Sequence, residues 1–167
     1  MIRTISDFEH SFSAEIESTQ KVFKHLTNES LTKQIHPDVR TLGRLAWHIV
    51  TTIPEMMGKM GLKIAGPGEH DPIPATAKEI SKGYSDAAIS LLDEVKRNWK
   101  DETLEVTDDM YGEKWKRGSS LEGFIKHEIH HRAQMIVLMR QLGHAVPGVY
   151  GPTRDEWKQY GMEAPEV

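Results

Sequence analysis

The chain has 167 residues, 21 Lys and Arg against 25 Asp and Glu for a formal charge of −4, and is 38% hydrophobic and 28% charged. That suits one domain with a sizeable core; it is too apolar a composition for intrinsic disorder and too polar for a membrane protein. An acidic balance without clustered Lys and Arg excludes the electrostatics of general nucleic-acid binding, and the absence of cysteine leaves imidazoles and carboxylates as metal ligands.

The N-terminal segment Met1-Ile2-Arg3-Thr4-Ile5-Ser6-Asp7-Phe8-Glu9-His10 places acids and a histidine where a secretory signal carries its apolar run. A cytoplasmic protein is expected. Phe8, Phe12, Ile16, Phe23 and Leu26, with Thr19 between them, recur at helical spacing and predict a first helix of about five turns. After a polar connector containing Pro37, Leu42, Leu45, Ala46, Ile49, Ile53, Met56 and Met60 predict a second helix from near Thr41, bent at Pro54. Its most apolar window, residues 45–53, is far shorter than the roughly 20 residues that span a bilayer.

Residues 61–74 hold three glycines and three prolines and read as a long crossing loop. Ile80, Tyr84, Ala87, Leu91 and Val95 mark a third helix ending near Trp99. Residues 104–118 lack a helical period and suggest turns or a short hairpin. Ser119 or Ser120 offers an N-cap, with Glu122 near N3, for a fourth helix over residues 121–142 that stops at Gly143. The tail, residues 144–167, is expected to be irregular, with a helical turn near residues 155–160. Four long helices without strong strands predict an all-α four-helix bundle forming a single domain over residues 1–167.

At about 100° per residue, His127 and His131 on the fourth helix project within roughly 40° of each other, on the side carrying Phe124, Met135 and Leu138. Two inward imidazoles one turn apart can share a ligand, whereas His130 points to solvent. His48, at the edge of the second helix's apolar stripe beside Thr52, is the candidate third ligand. Three imidazoles around a divalent ion leave positions open, as catalytic sites do; the alternative is core-edge histidines satisfied by hydroxyls and carbonyls.

The string His127-Glu128-Ile129-His130-His131 also spells H-E-x-x-H, the zinc-peptidase motif. Gln134 and Val137 exclude its extended metzincin form, and a third ligand such as Asp155 or Glu156 would have to come from the tail. Glu128 projects about 80° from the mean direction of the two histidines. It could act as a general base on water, or pair with Arg132 at i,i+4. Trp47, Trp115 and Trp157 either line a pocket or pack.

Three segments carry a family resemblance: Leu45-Ala46-Trp47-His48-Ile49, His127-Glu128-Ile129-His130-His131-Arg132-Ala133-Gln134, and Val146-Pro147-Gly148-Val149-Tyr150-Gly151-Pro152. In order and spacing they resemble the DinB-like proteins, damage-inducible four-helix bundles related to bacillithiol transferases, over nearly the whole chain. Ala133 stands where many members have Gly, and Gln134 matches without a role that the sequence explains. The resemblance implies an up-down-down-up bundle, metal ligands at His48, His127 and His131, a zinc, nickel or similar divalent ion, and a homodimer.

Three functions follow as expectations. The first is a metal-dependent thiol S-transferase acting on small electrophiles with a low-molecular-weight thiol, as in the related bacillithiol S-transferases and mycothiol-dependent maleylpyruvate isomerases. The second is a metal-dependent hydrolase with Glu128 as base. The third is a non-catalytic, stress-associated binding protein whose metal stabilises the fold.

Overall fold

The structure, a computed structural model, describes residues 2–166. Four helices, α1 (Ile5–Phe23), α2 (Leu42–Lys59), α3 (Ala77–Asn98) and α4 (Arg117–Gln141), carry the fold, and a hairpin of β1 (Thr107–Met110) and β2 (Glu113–Lys116) enters α4 directly. Helix α1 packs on α3 and α4, and α2 packs on the same two helices, so α1 and α2 lie diagonally across the bundle. The core between them is built from Phe8, Phe12, Ile49, Ile53, Tyr84, Leu91, Phe124 and Met135, all at most 1% exposed.

Local chemistry fixes the helix starts. Thr4 with Asp7 and Thr76 with Glu79 form capping boxes on α1 and α3, and the Thr41 hydroxyl accepts from the Arg44 amide to start α2. Pro54 lies within α2 without ending it. Helix α1 stops at Phe23, one turn before its expected end, and Leu26 reaches the core from beyond the helix.

The start of α4 corrects the sequence expectation. Neither Ser119 nor Ser120 is the N-cap: the helix begins at Arg117, its cap position is Lys116, and no side chain caps it. The antiparallel hairpin hands its chain straight into the first turn. There the Arg117 amide donates to the Val106 carbonyl at 2.9 Å and the Arg117 side chain pairs with Asp108 on β1 at 2.7 Å. The hairpin and the residue before it thus anchor the first turn without a side-chain cap, and the Ser120 hydroxyl donates to the Lys116 carbonyl at 3.3 Å. The loop between α2 and α3 and the 3₁₀ turn at Trp157–Tyr160 lie where expected. No helix among the described residues is long and apolar enough to cross a membrane.

Candidate metal centre

Helices α2 and α4 are neighbours, and their contact brings His48 together with His127 and His131. All three side chains are half-buried. The Nε2 atoms of His48 and His127 lie 3.2 Å apart and those of His131 and His127 3.1 Å apart; all three ligand atoms fall within 4.8 Å of one another. Zinc–imidazole bonds of about 2.0–2.1 Å in a tetrahedral arrangement separate ligand nitrogens by about 3.3–3.4 Å. The spacing therefore fits an ion with small adjustments of the rings. Among the described residues no further His or carboxylate joins this group.

The surroundings keep the imidazoles in their neutral, ligating form. Burial, then the neighbouring imidazoles and the Arg40 guanidinium, lower His48 from 6.5 to about 4. Burial and the adjacent histidines lower His127 to about 4 as well. Burial also lowers His131, against the opposing effect of its hydrogen bond to Gln134. Near neutrality the imidazoles are uncharged, with lone pairs available to a metal. The hydroxyl of Thr52 does not satisfy the His48 ring; it donates to the His48 backbone carbonyl at 2.7 Å.

Gln134 has a role that the sequence did not reveal. Its Oε1 lies 2.8 Å from His131 Nδ1, and its Nε2 lies 2.9 Å from His130 Nε2. With the Nδ1–H of His131 donating to the amide oxygen, the His131 Nε2 lone pair points at the cluster. His130 is exposed, as its wheel position predicts, but it braces Gln134.

Glu128 turns the other way. It is 1% exposed, and its Oε1 accepts from the Thr19 hydroxyl on α1 and the Tyr84 hydroxyl on α3, each at 2.6 Å. Burial raises its pKa against the effect of these donors. Arg132, also 1% exposed, comes only within 4.0 Å of Glu128. Its stronger partners are Glu15, the Thr19 hydroxyl at 3.0 Å and the Tyr150 hydroxyl at 2.8 Å. The carboxylate and guanidinium of the H-E-x-x-H-R string therefore belong to a buried network that ties α4 to α1, α3 and the tail.

Sequence reasoning missed Glu15, Tyr84 and Tyr150 as members of that network. A signal existed for Glu15, which continues the Phe8, Phe12, Thr19 stripe at three- and four-residue spacing and so had to be buried with a partner. The tail carboxylates are engaged elsewhere: Asp155 pairs with Arg140 at 3.0 Å, and Glu156 accepts from the Gly148 and Thr153 amides.

His48 and His127 form one end of a cavity of about 380 Å³ whose other walls include Thr52, Glu55, Tyr111 and Trp115. Tyr111 donates to Glu55 at 2.7 Å and Lys59 lies 4.7 Å from its ring centre, so the hairpin is held over the cavity from α2. Of the tryptophans Trp47, Trp115 and Trp157, Trp115 lines this cavity, Trp157 is half-buried outside it, and Trp47 is 5% exposed with its ring 3.2 Å from where a Cβ on Gly83 would lie.

The DinB family model matches residues 1–165. The chain belongs to the DinB family. Its DinB relatives include the uncharacterized protein YrdA of Bacillus subtilis strain 168, which is 40% identical over the full length of both chains. Among solved structures, a DinB-like protein from Bacillus cereus ATCC 10987 is 43% identical and superposes with a TM-score of 0.85, covering 90% of this chain and 100% of that one. A second DinB-like protein, YjoA of Bacillus subtilis, shares the fold at 18% identity and a TM-score of 0.67, covering 86% and 96% of the two chains.

Proposed function

We propose that this DinB protein holds a divalent ion, zinc or nickel, on the Nε2 atoms of His48, His127 and His131, and is a metal-dependent thiol S-transferase acting on a small electrophile. The observation that carries the reading is the convergence of three neutral imidazoles, two of them lining a cavity, with no fourth protein ligand among the described residues. An ion held there supplies Lewis acidity that keeps a thiol deprotonated near neutral pH.

The protein's own residues do the rest. Tyr111 and Trp115 wall the cavity beside His48 and His127, and Gln134 fixes the orientation of His131. Thr19 and Tyr84 hold Glu128 in the core, which disfavours the hydrolase reading with Glu128 as base. Elemental analysis of protein purified without a histidine tag or added metal, followed by monobromobimane transfer assays with a panel of thiols, tests the proposal. About one equivalent of metal and metal-dependent consumption of at least one thiol are expected. Metal without any transfer would leave a binding protein in place of an enzyme, and no metal uptake would remove the centre itself.

A further inference from the structure

The imidazole cluster has a second face. On the His131 side, a groove of about 710 Å³ runs between α4 and the connector that leads into α2. Its walls are apolar: Ile35 and Val39 from the connector, Val137 and Leu138 from α4. Ile35, Val39 and Val137 are 47%, 38% and 57% exposed, an unusual concentration of solvent-facing aliphatic side chains beside one site.

Arg40 stands in the same groove. Its guanidinium has no ion pair or hydrogen bond to any described residue, whereas Arg117, Arg132 and Arg140 are each paired with a carboxylate. The one acidic group of the groove, Asp38, has its side chain 90% exposed, and the nearby His36 Nδ1 accepts from the Asp38 backbone amide. Arg40 is also close enough for its charge to act on each of the three imidazoles. An unpaired guanidinium at the metal-facing edge of an aliphatic groove is complementary to an anion attached to an apolar body.

We propose that this groove binds a small molecule with an aliphatic body and a carboxylate, with the carboxylate on Arg40 and the body against Ile35, Val39 and Val137. The proposal deepens the metal-centre reading, on which it rests for the chemistry that follows binding; binding in the groove is independent of the ion. The ligand class it assigns is an apolar carboxylic acid, held beside His131 in a groove separate from the cavity that His48 and His127 line.

Calorimetric titration of octanoate and of its neutral isostere octanamide into the full chain, both metal-free and zinc-loaded, tests this. Octanoate is expected to bind both forms, about five- to tenfold tighter than octanamide, as one charge-assisted contact in a partly hydrated site would give. Arg40→Gln should bring the two ligands to equal affinity, Arg40→Lys should recover part of the preference, and Val137→Glu, at an exposed position, should abolish binding of both. Equal affinities in the parent protein, or a preference that survives Arg40→Gln, would overturn the assignment. So would binding confined to the zinc-loaded form, which would place the carboxylate on the ion. A dimer that Val137→Glu dissociates, with no octanoate bound, would show that a second copy covers the groove. Metal content measured on the same samples reports separately on the centre, so loss of the metal reading and loss of the groove are distinguishable.

Discussion

One turn of α4 separates His131 from Gln134, and a 2.8 Å hydrogen bond joins the Nδ1 of the first to the amide oxygen of the second. Gln134 is exposed and His131 half-buried, and the consequence of the contact is that the other ring nitrogen is held as a lone-pair donor. Outer contacts of this kind change metal affinity by about 10- to 100-fold when removed. Gln134→Leu is therefore expected to weaken zinc binding by that factor without lowering the melting temperature of the metal-free protein. Competition against a chromophoric chelator measures it. Unchanged affinity would show that His131 needs no orientation from Gln134.

Removal of a ligand has a different signature from removal of its support. His127 is the hinge of the cluster, with its Nε2 within 3.2 Å of both other imidazoles. In His127→Ala, only two imidazoles on different helices remain, and binding at micromolar metal should be lost. An ion present at about 100 times its dissociation constant stabilises the native state by about 2.7 kcal/mol. The parent protein should thus melt several degrees lower after chelation, while His127→Ala should melt at the same temperature with and without chelator. A variant that still gained stability from zinc would place the ion elsewhere.

Much of this arrangement was legible in the sequence, because it depends on helical periodicity and chain order. The Leu42, Leu45, Ile49, Ile53 stripe positions His48 at its edge, and the four-residue spacing of His127 and His131 puts them on one face; the structure brings the three together. What the sequence withheld depends on contacts between distant segments. The first turn of α4 is fixed by Val106 and Asp108 on the hairpin rather than by a local cap. The Arg132 guanidinium takes Glu15, 117 residues away, in preference to Glu128 one turn along its own helix, and no wheel can choose between those partners.

The depressed imidazoles make stability depend on pH in a defined window. His48 and His127 titrate at about 4 in the folded protein against an ordinary value of 6.5. Between those values the unfolded chain binds more protons than the native state, so unfolding takes up protons and stability rises with pH. The metal-free protein should therefore be at full stability, as far as these groups are concerned, above pH 6.5, and lose it progressively as the pH falls toward 4. Melting curves from pH 7.5 to 4 check this, with the slope reduced in His48→Gln. A flat profile through the window, or an identical slope in the variant, would mean that the imidazoles do not titrate as a desolvated group.

The network around Arg132 is buried at Arg132 and Glu15 and reaches the surface at Tyr150, through which it engages the tail. The Tyr150 hydroxyl lies 2.8 Å from the Arg132 guanidinium and within 2.8 Å of both Glu15 carboxylate oxygens, and the Arg132 guanidinium lies 5.4 Å from the Tyr150 ring. Removing the guanidinium leaves Glu15 and Glu128 buried without their cation, a loss of about 3–5 kcal/mol. Removing only the hydroxyl of Tyr150, a residue 69% exposed, costs less, about 0.5–1 kcal/mol. Arg132→Met should accordingly be close to unfolding at 37 °C. Tyr150→Phe should fold, yet be cleaved faster by trypsin at Arg154 or Lys158 in the released tail. Chemical denaturation and limited proteolysis measure the two effects. Equal cleavage of Tyr150→Phe and parent protein would show that the tail is anchored by other contacts.

Tyr111 sets backbone preference against side-chain contact. It occupies the first loop position of the β1–β2 hairpin at φ 59°, followed by Gly112 at φ 88°. Two positive φ values define the two-residue turn that Asn-Gly fills best, and an aromatic residue in the left-handed region costs about 1–2 kcal/mol. Tyr111 is held there by its hydroxyl on Glu55, by Lys59 against its ring and by the edge of Trp115, 6.4 Å between ring centres. Tyr111→Phe keeps the backbone cost and loses the hydrogen bond, so it should be destabilised by about 1 kcal/mol. Tyr111→Asn loses all the contacts but relieves the backbone, and should melt at or above Tyr111→Phe. Because the hairpin is then untied from α2, acrylamide quenching of Trp115 fluorescence, read with Trp47, Trp99 and Trp157 replaced by Phe, should increase in Tyr111→Asn. If Tyr111→Asn melted well below Tyr111→Phe, the side-chain contacts would outweigh the backbone cost, and the left-handed tyrosine would be a product of packing over the cavity alone.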